Sequence, residues 1–191
     1  MQEKTLNDIR IEWEGSFSLY DIGYNDKNKK YELTKAKLND KYKDYGVYQI
    51  YGFHTLYGNS VLLYIGKAED QTFAKRISQE GWEYSLDYKN IQIYVGRFYN
   101  ISDSDPLNND GVWNKIISHA EKLLIYAHEP AVNSSNIRTL SRDERIIKQY
   151  ENTRILNYGV HRSLMPEISG EMWVKEFGKI KLFGETDNTH P

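Results

Sequence analysis

Residues 44–76 read DYGVYQIYGFHTLYGNSVLLYIGKAEDQTFAKR, and the expected fold turns on this stretch. It holds two apolar-aromatic runs, residues 45–51 (YGVYQIY) and 61–66 (VLLYIG). Runs rich in β-branched and aromatic residues, separated by a Gly/Asn/Ser segment, predict a β-hairpin, here with a longer loop over 52–60. Each run carries a tyrosine close to a glycine, Tyr48 near Gly46 and Tyr64 near Gly66, and Lys67 and Arg76 follow. That is more polar chemistry than a hairpin needs in order to fold.

After the hairpin, Asp70 is a candidate N-cap, Phe73 and Ile77 stand at i and i+4, and Gly81 is a stop signal, which predicts a helix over 70–78. Residues 90–98 alternate apolar with polar or small side chains, the pattern of a half-buried strand. Residues 100–111 (NISDSDPLNNDG) are a loop by composition. The longest helix is predicted over 112–127, where Trp113, Ile116, Ile117, Ala120, Leu123 and Leu124 share one face; Pro130 ends it. Glu121 lies on the border of that face, about 40–60° around the helix from Ile117 and Leu124, so its carboxylate follows the helix–sheet seam. His128 lies on the same border. Residues 131–136 are a polar turn, Ser141 to Glu144 a capping box, and Ile146, Ile147 and Tyr150 give the next helix an apolar side. Residues 154–160 and 172–183 read as strands, and so do the short runs 9–13 and 16–20 near the N-terminus. The lysine-rich segment 26–44 reads as a solvated connector or as an arm that contacts phosphate. The central order is strand, strand, helix, strand, helix. It predicts an α+β fold with a small antiparallel sheet.

The 191 residues suffice for one domain with a real core. No cysteine is present, which excludes disulfides and thiolate metal sites. No apolar run reaches membrane-spanning length and the first residues, MQEKTLNDIR, have no apolar leader, so a cytoplasmic protein without a membrane partner is expected. The net charge of −2 lacks the basic excess of a non-specific nucleic-acid binder. A specific DNA enzyme needs only a local basic patch. Sixteen tyrosines are many for this length, and tyrosine suits both half-buried strands and polar recognition surfaces.

Tyr48, Tyr64, Arg76, Glu121 and Asn133 suit one chemistry if they meet. Hydrolysis of a phosphodiester requires an activated water, a cation on the phosphoryl oxygens and help for the leaving oxygen. A single carboxylate among oxygen donors suits Mg²⁺, which keeps most of its waters. Arg76 can hold a phosphate through two parallel hydrogen bonds. A tyrosine beside a metal and a cation loses its proton more readily. Gly46 and Gly66 remove side chains where a nucleic-acid backbone would come close.

Gly46-Val47-Tyr48, Tyr64-Ile65-Gly66, Arg76 in the following helix, Glu121 on a later helix and Asn133 after a proline closely resemble the GIY-YIG nuclease superfamily, with Val47 a conservative departure. The resemblance covers about residues 45–133. It implies a small three-stranded antiparallel sheet flanked by helices, as a core over 45–137 with an N-terminal extension (1–44) and a C-terminal helix and strand extension (138–191) packed on it. It implies that Glu121 binds one divalent metal, Mg²⁺ with Mn²⁺ as substitute, and that Arg76 contacts the scissile phosphate. Tyr48 would be the general base or position the water. Tyr64 would hydrogen-bond near the nucleophile or phosphate, and Asn133 would brace the site. Lys67 resembles the lysine that restriction-enzyme members set beside the tyrosine, where it would lower the tyrosine's pKa; a plain strand-end position is the alternative. Several members carry a histidine one helical turn after the arginine; here that residue is Glu80, with His54 and His128 as substitute proton carriers. The expected function is a metal-dependent endonuclease acting on double-stranded DNA, of a restriction or defence type. The alternatives are a repair or recombination nuclease and a nucleic-acid-binding module with weak catalysis. Symmetric cutting of both strands would call for a homodimer.

Overall fold

The structure, a computed structural model, describes residues 7–99, 111–137 and 144–177. In chain order the strands and helices are β1 (Asn7–Phe17), β2 (Tyr24–Asn25), β3 (Lys30–Tyr31), β4 (Gly46–His54), β5 (Gly58–Ala68), α1 (Phe73–Ile77), β6 (Gln92–Tyr99), α2 (Val112–His128), α3 (Glu144–Glu151), β7 (Thr153–Gly159) and β8 (Glu167–Ser169). The first N-terminal run and the start of the second merge into the single strand β1, whereas Leu19 and Tyr20, at the end of the second, form a turn. The hairpin strands extend through most of the expected 52–60 loop, because backbone pairing such as Gly52 with Val61 and His54 with Gly58 overrides the turn-like composition. Thr72, not Asp70, caps α1, its hydroxyl accepting from the Lys75 amide. Asp70 instead accepts a hydrogen bond from Asn114 Nδ2.

The expected small three-stranded sheet is overturned. The chain forms a mixed α/β fold on one six-stranded sheet, in the order β5-β4-β6-β1-β7-β8, beside a two-stranded β2-β3 ribbon. β1 enters the interior of the large sheet, antiparallel to β6 on one side and parallel to β7 on the other. The physical reason is the two-residue alternation Ile9, Ile11, Trp13 on β1 and Ile155, Asn157 on β7. It gives those strands a core face as continuous as that of the hairpin, and their edges pair with it. Residues 172–177, read as the start of a strand, instead belong to a helical turn of π type, Glu171–Phe177. Trp173 and Val174 pack against the core there, a case where a short apolar run fits either period. Residues 178–183 of that expected strand, and Ser141 to Asp143 of the capping box, lie outside the described residues.

Two apolar cores cover the two faces of the sheet. On one face Ile11, Trp13, Val47 and Ile65 meet Ile117, Ala120, Leu123 and Leu124 of α2. On the other, Tyr48, Ile50, Ile93 and Val95 meet Phe73, Ala74 and Ile77 of α1, together with Leu19, Ile22 and Leu38 from the segment after β1. One irregularity in β5 decides which side chains share a face. Ile50 pairs with Tyr64, but the next residue, Tyr51, pairs with Leu62, so Leu63 is an extra residue in β5. Such a bulge shifts the alternation of the strand by one position. It sets Tyr64 and Gly66 on the α1 face, opposite Ile50 and Tyr48, and leaves Ile65 on the α2 face.

The parallel β1–β7 pair is held from inside by a buried polar link. Trp13 Nε1 donates to Asn157 Oδ1 at 2.8 Å, and Asn157 Nδ2 donates to the Met165 carbonyl at 2.8 Å. Asn157→Ala would leave a buried indole N–H and a carbonyl without partners. We expect it to lower stability by about 2–4 kcal/mol, read as a lower urea midpoint at unchanged m-value. A change within about 0.5 kcal/mol would mean that the link does not carry the pairing.

Candidate active site at the sheet edge

β5 is an outermost strand of the large sheet, so one side of its backbone has no strand to pair with. Buried backbone groups in that position need partners. The segment after α2 supplies them. Glu129 adopts a left-handed conformation (φ 45°) with its N–H on the Ile125 carbonyl, and turns the chain off the helix toward β5. The Ala131 and Val132 amides then donate to the Leu62 and Leu63 carbonyls at 3.1 and 2.8 Å. The buried Asn133 completes the closure with its side chain. Oδ1 accepts from Ile65 N at 2.9 Å, and Nδ2 donates to Ile65 O at 3.0 Å. An amide is the side chain that can do both at once. It fixes the residue between Tyr64 and Gly66 and ties α2 to β5.

On the α1 face, the Tyr48 ring is buried and its hydroxyl donates to Glu80 Oε1 at 2.5 Å. The same oxygen pairs with Arg76 at 3.0 Å, while Glu80 Oε2 accepts from Trp82 Nε1 at 2.9 Å. The Tyr64 ring lies 6.2 Å from that of Tyr48. Gly66 makes room for this packing: a Cβ there would sit 2.5 Å from the Tyr48 hydroxyl oxygen and 2.6 Å from Tyr64 Cε1. Gly46, at φ 139°, has an internal reason too, since a Cβ would run into the Gly96 carbonyl of β6. Burial raises the Tyr48 pKa well above that of a free phenol, helped by the Glu80 charge and hydrogen bond and opposed by Arg76. Burial, Glu80 and Glu121 push Tyr64 up to about 12 against the pull of Arg76. Both tyrosines are therefore neutral phenols at neutral pH.

Around the edge of β5, Arg76, Lys67 and Glu121 line one cleft of about 270 Å³ together with Glu69, Asp70 and Gln71. Lys67 Nζ donates to Glu69 Oε1 at 2.7 Å and to Ser118 Oγ at 2.5 Å, and Ser118 Oγ donates to Glu69 Oε2 at 2.8 Å. Glu69 is thus engaged at both oxygens. Burial raises the Glu121 pKa to about 7; Glu69 adds to the rise, and Lys67, Lys122 and Arg76 oppose it. Lys67 is paired with Glu69 and Ser118, and its charge opposes the rise at Glu121.

The fold thus brings Tyr48, Tyr64 and Arg76 together in one cluster, and Arg76, Lys67 and Glu121 together in the adjoining cleft. Asn133 stands behind the strand that separates them, as a brace on its backbone. The histidines considered as proton carriers are committed elsewhere. His54 stacks on Tyr57 at the hairpin tip, 4.7 Å between ring centroids. His128 Nε2 accepts from the Met165 amide, so its proton sits on Nδ1, which donates to the Leu124 carbonyl. Sequence reasoning left Glu80 as a gap in a pattern and overlooked Glu69 and Ser118. The signal for Glu80 was its i+4 spacing from Arg76; Glu69 and Ser118 carried none.

Among the described residues no group of three or more His, Cys, Asp or Glu side chains is arranged to hold a metal ion. Of the three carboxylates that line the cleft, Glu69 is engaged at both oxygens and Asp70 accepts from Asn114, which leaves Glu121 as the one without a hydrogen-bond partner among the described residues. That fits a divalent cation which retains most of its waters and does not fit a cage of protein ligands. Among the described residues no helix is long and apolar enough to cross a membrane. Comparison with protein-family models, with curated proteins and with solved structures gave no match.

The raised Glu121 pKa has a thermodynamic consequence. Its stabilising contribution is fully present below pH 4.5, where the carboxyl is neutral in both states, and is lost as the pH rises to about 7. Glu121→Gln removes the charge. The variant should match the wild type at pH 4 and exceed it by about 1–3 kcal/mol at pH 8 in metal-free buffer, by urea unfolding. A stability difference that stays constant with pH would contradict the burial of an unpaired charge.

Proposed function

We propose that this chain is a divalent-metal-dependent endonuclease that hydrolyses phosphodiester bonds in DNA. The observation that supports the reading best is the meeting, at the edge of β5, of the residues on which the GIY-YIG resemblance rests: Tyr48, Tyr64, Arg76 and Glu121, with Lys67 alongside and Asn133 as brace. Four elements and the turn after α2 contribute them, and a purely structural carboxylate has no need to stand in such a cleft without a hydrogen-bond partner among the described residues, as Glu121 does.

The scissile phosphate lies in the cleft against Arg76, whose planar donors match its oxygens. Glu121 would hold Mg²⁺, or Mn²⁺ in its stead. When bound, that ion would supply charge neutralisation for the phosphoryl group and the leaving oxygen. Tyr48 and Tyr64 orient the attacking water. Because Tyr48 is a phenol at neutral pH, it serves as a base only by passing its own proton on as it takes one from water. Glu80, which already accepts the Tyr48 O–H, receives that proton. Arg76 moves from Glu80 to the phosphate as the substrate enters, and the departing charge leaves Glu80 a stronger acceptor. A DNA substrate goes with a cytoplasmic location.

A second reading is favoured by one observation. Arg76 and Lys67 are already paired, to Glu80 and Glu69, which suits a nucleic-acid-binding module with weak catalysis. Incubation of supercoiled plasmid with Mg²⁺ or Mn²⁺ separates the two. Wild type should nick or cut. Glu121→Ala should bind without cutting, and Glu80→Gln should lower kcat about 10²-fold with KM no higher. Equal cleavage by wild type and Glu121→Ala would remove the metal carboxylate from the scheme. Binding by all three proteins without cleavage would leave the binding module.

A further inference from the structure

The cleft is not the largest cavity along this edge. Across the wall formed by Glu69, Asp70 and Gln71 it adjoins a chamber of about 520 Å³, whose lining adds Lys41, Lys75, Tyr45 and Trp113. The chamber's charges divide in a way that matters for a ligand. Two of its acids are paired with cations: Asp44 accepts from Arg97 at 2.7 Å and Glu69 from Lys67 at 2.7 Å. The third, the exposed Asp70, accepts from the neutral Asn114 amide at 2.6 Å and keeps its charge. Its two lysines are exposed, and among the described residues neither is paired with a carboxylate. Lys41 reaches only over the ring of Tyr42, at 4.9 Å. Beside them the half-buried Tyr45 and the buried Trp113 meet edge to face at 5.7 Å and form an apolar aromatic wall. Two such cations against one uncompensated carboxylate leave the chamber a net positive charge, and cations beside aromatic rings are the components from which single-strand nucleic-acid sites are made.

We infer that this chamber is the subsite for the nucleotide next to the scissile phosphate, its base packed against Tyr45 and Trp113 and its flanking phosphates against Lys75 and Lys41. The inference rests on the nuclease reading for its register with the cleft. It adds the path of the strand: a DNA strand with one phosphate at Arg76 has to continue past the shared Glu69–Gln71 wall, and the chamber lies there. A duplex would keep its bases stacked away from the wall, so the subsite favours a strand that is unpaired next to the cut, a preference that the fold could impose without reading sequence.

The test is fluorescence anisotropy of a short fluorescein-labelled DNA, single-stranded and duplex, with the full chain in EDTA and KCl between about 50 and 200 mM. Plasmid and single-strand cleavage in Mg²⁺ are run in parallel. Lys41→Ala/Lys75→Ala should lower the slope of log affinity against log salt by about one unit per lysine. Lys89→Ala/Lys148→Ala, an exposed pair outside the chamber, the cleft and the lysine-rich segment 26–44, should leave the slope unchanged. Tyr45→Ala should weaken single-strand binding roughly tenfold, and Tyr45→Phe should retain it. An unchanged slope in a wild type and a double variant that both cleave overturns the subsite and leaves the nuclease standing. A reduced slope in a protein that never cleaves leaves the subsite and removes the nuclease. An equal fall in both lysine pairs overturns the subsite, because net charge alone would then account for it. So does absence of DNA binding by the wild type, or tighter binding to duplex than to single strand.

Discussion

An edge strand must have its outer backbone groups satisfied, and the way β5 meets that requirement governs the rest of this molecule. Three consecutive residues beyond α2 do it, two through their amides and Asn133 through its side chain. Because the covering segment is the direct continuation of α2, closing the edge also fixes where α2 lies against the sheet. Glu121 is thereby held beside β5 and Lys67, while α1 brings Arg76 from the opposite face. The cleft is the consequence of two helices on opposite faces meeting around one strand edge.

Electrostatics inside that arrangement follow from burial and not from net charge. Glu121 carries a pKa of about 7 because the loss of water around it outweighs the compensation from Lys67, Lys122 and Arg76. Tyr48 and Tyr64 are held neutral for the same reason, with Glu80 adding to the effect. A cation arriving in the cleft would change the balance at Glu121 more than any side chain does, because a divalent ion brings twice the charge to a site of low dielectric. The Glu80 carboxylate ties Tyr48, Arg76 and Trp82 into one unit, so the residue that breaks the expected histidine pattern is also the one that orders this half of the site.

Much of the local structure was legible. The residue 90–98 strand and the long helix after residue 111 follow from periodicity and were read near their observed limits; the hairpin strands carry the same kind of signal, but each runs on into the expected loop. Where the reading failed, a long-range contact won. Asp70 gave way to Thr72 as the cap of α1 because Asn114, on α2, takes up its carboxylate. The apolar run from Met172 fits a strand as well as a helical turn, and the core against which Trp173 packs chose the turn. His128 looked available from its helix position, yet the Met165 amide, far along the chain, occupies its second nitrogen.

Residue order alone dictated most of the strands and helices, and it dictated the chemical set: two tyrosines beside glycines, an arginine one helix later and a carboxylate on the border of an apolar face. Those are properties of neighbours within a turn or two, where spacing along the chain is spacing in space. Only the folded arrangement settled that β1 and β7 enter the same sheet as the hairpin, that the extra residue Leu63 turns Tyr64 to the side of Tyr48, and that Lys67 pairs with Glu69 and Ser118. Strand order, register and charge partners depend on residues scores of positions apart. They are settled by which edges and faces remain to be covered once the local elements exist.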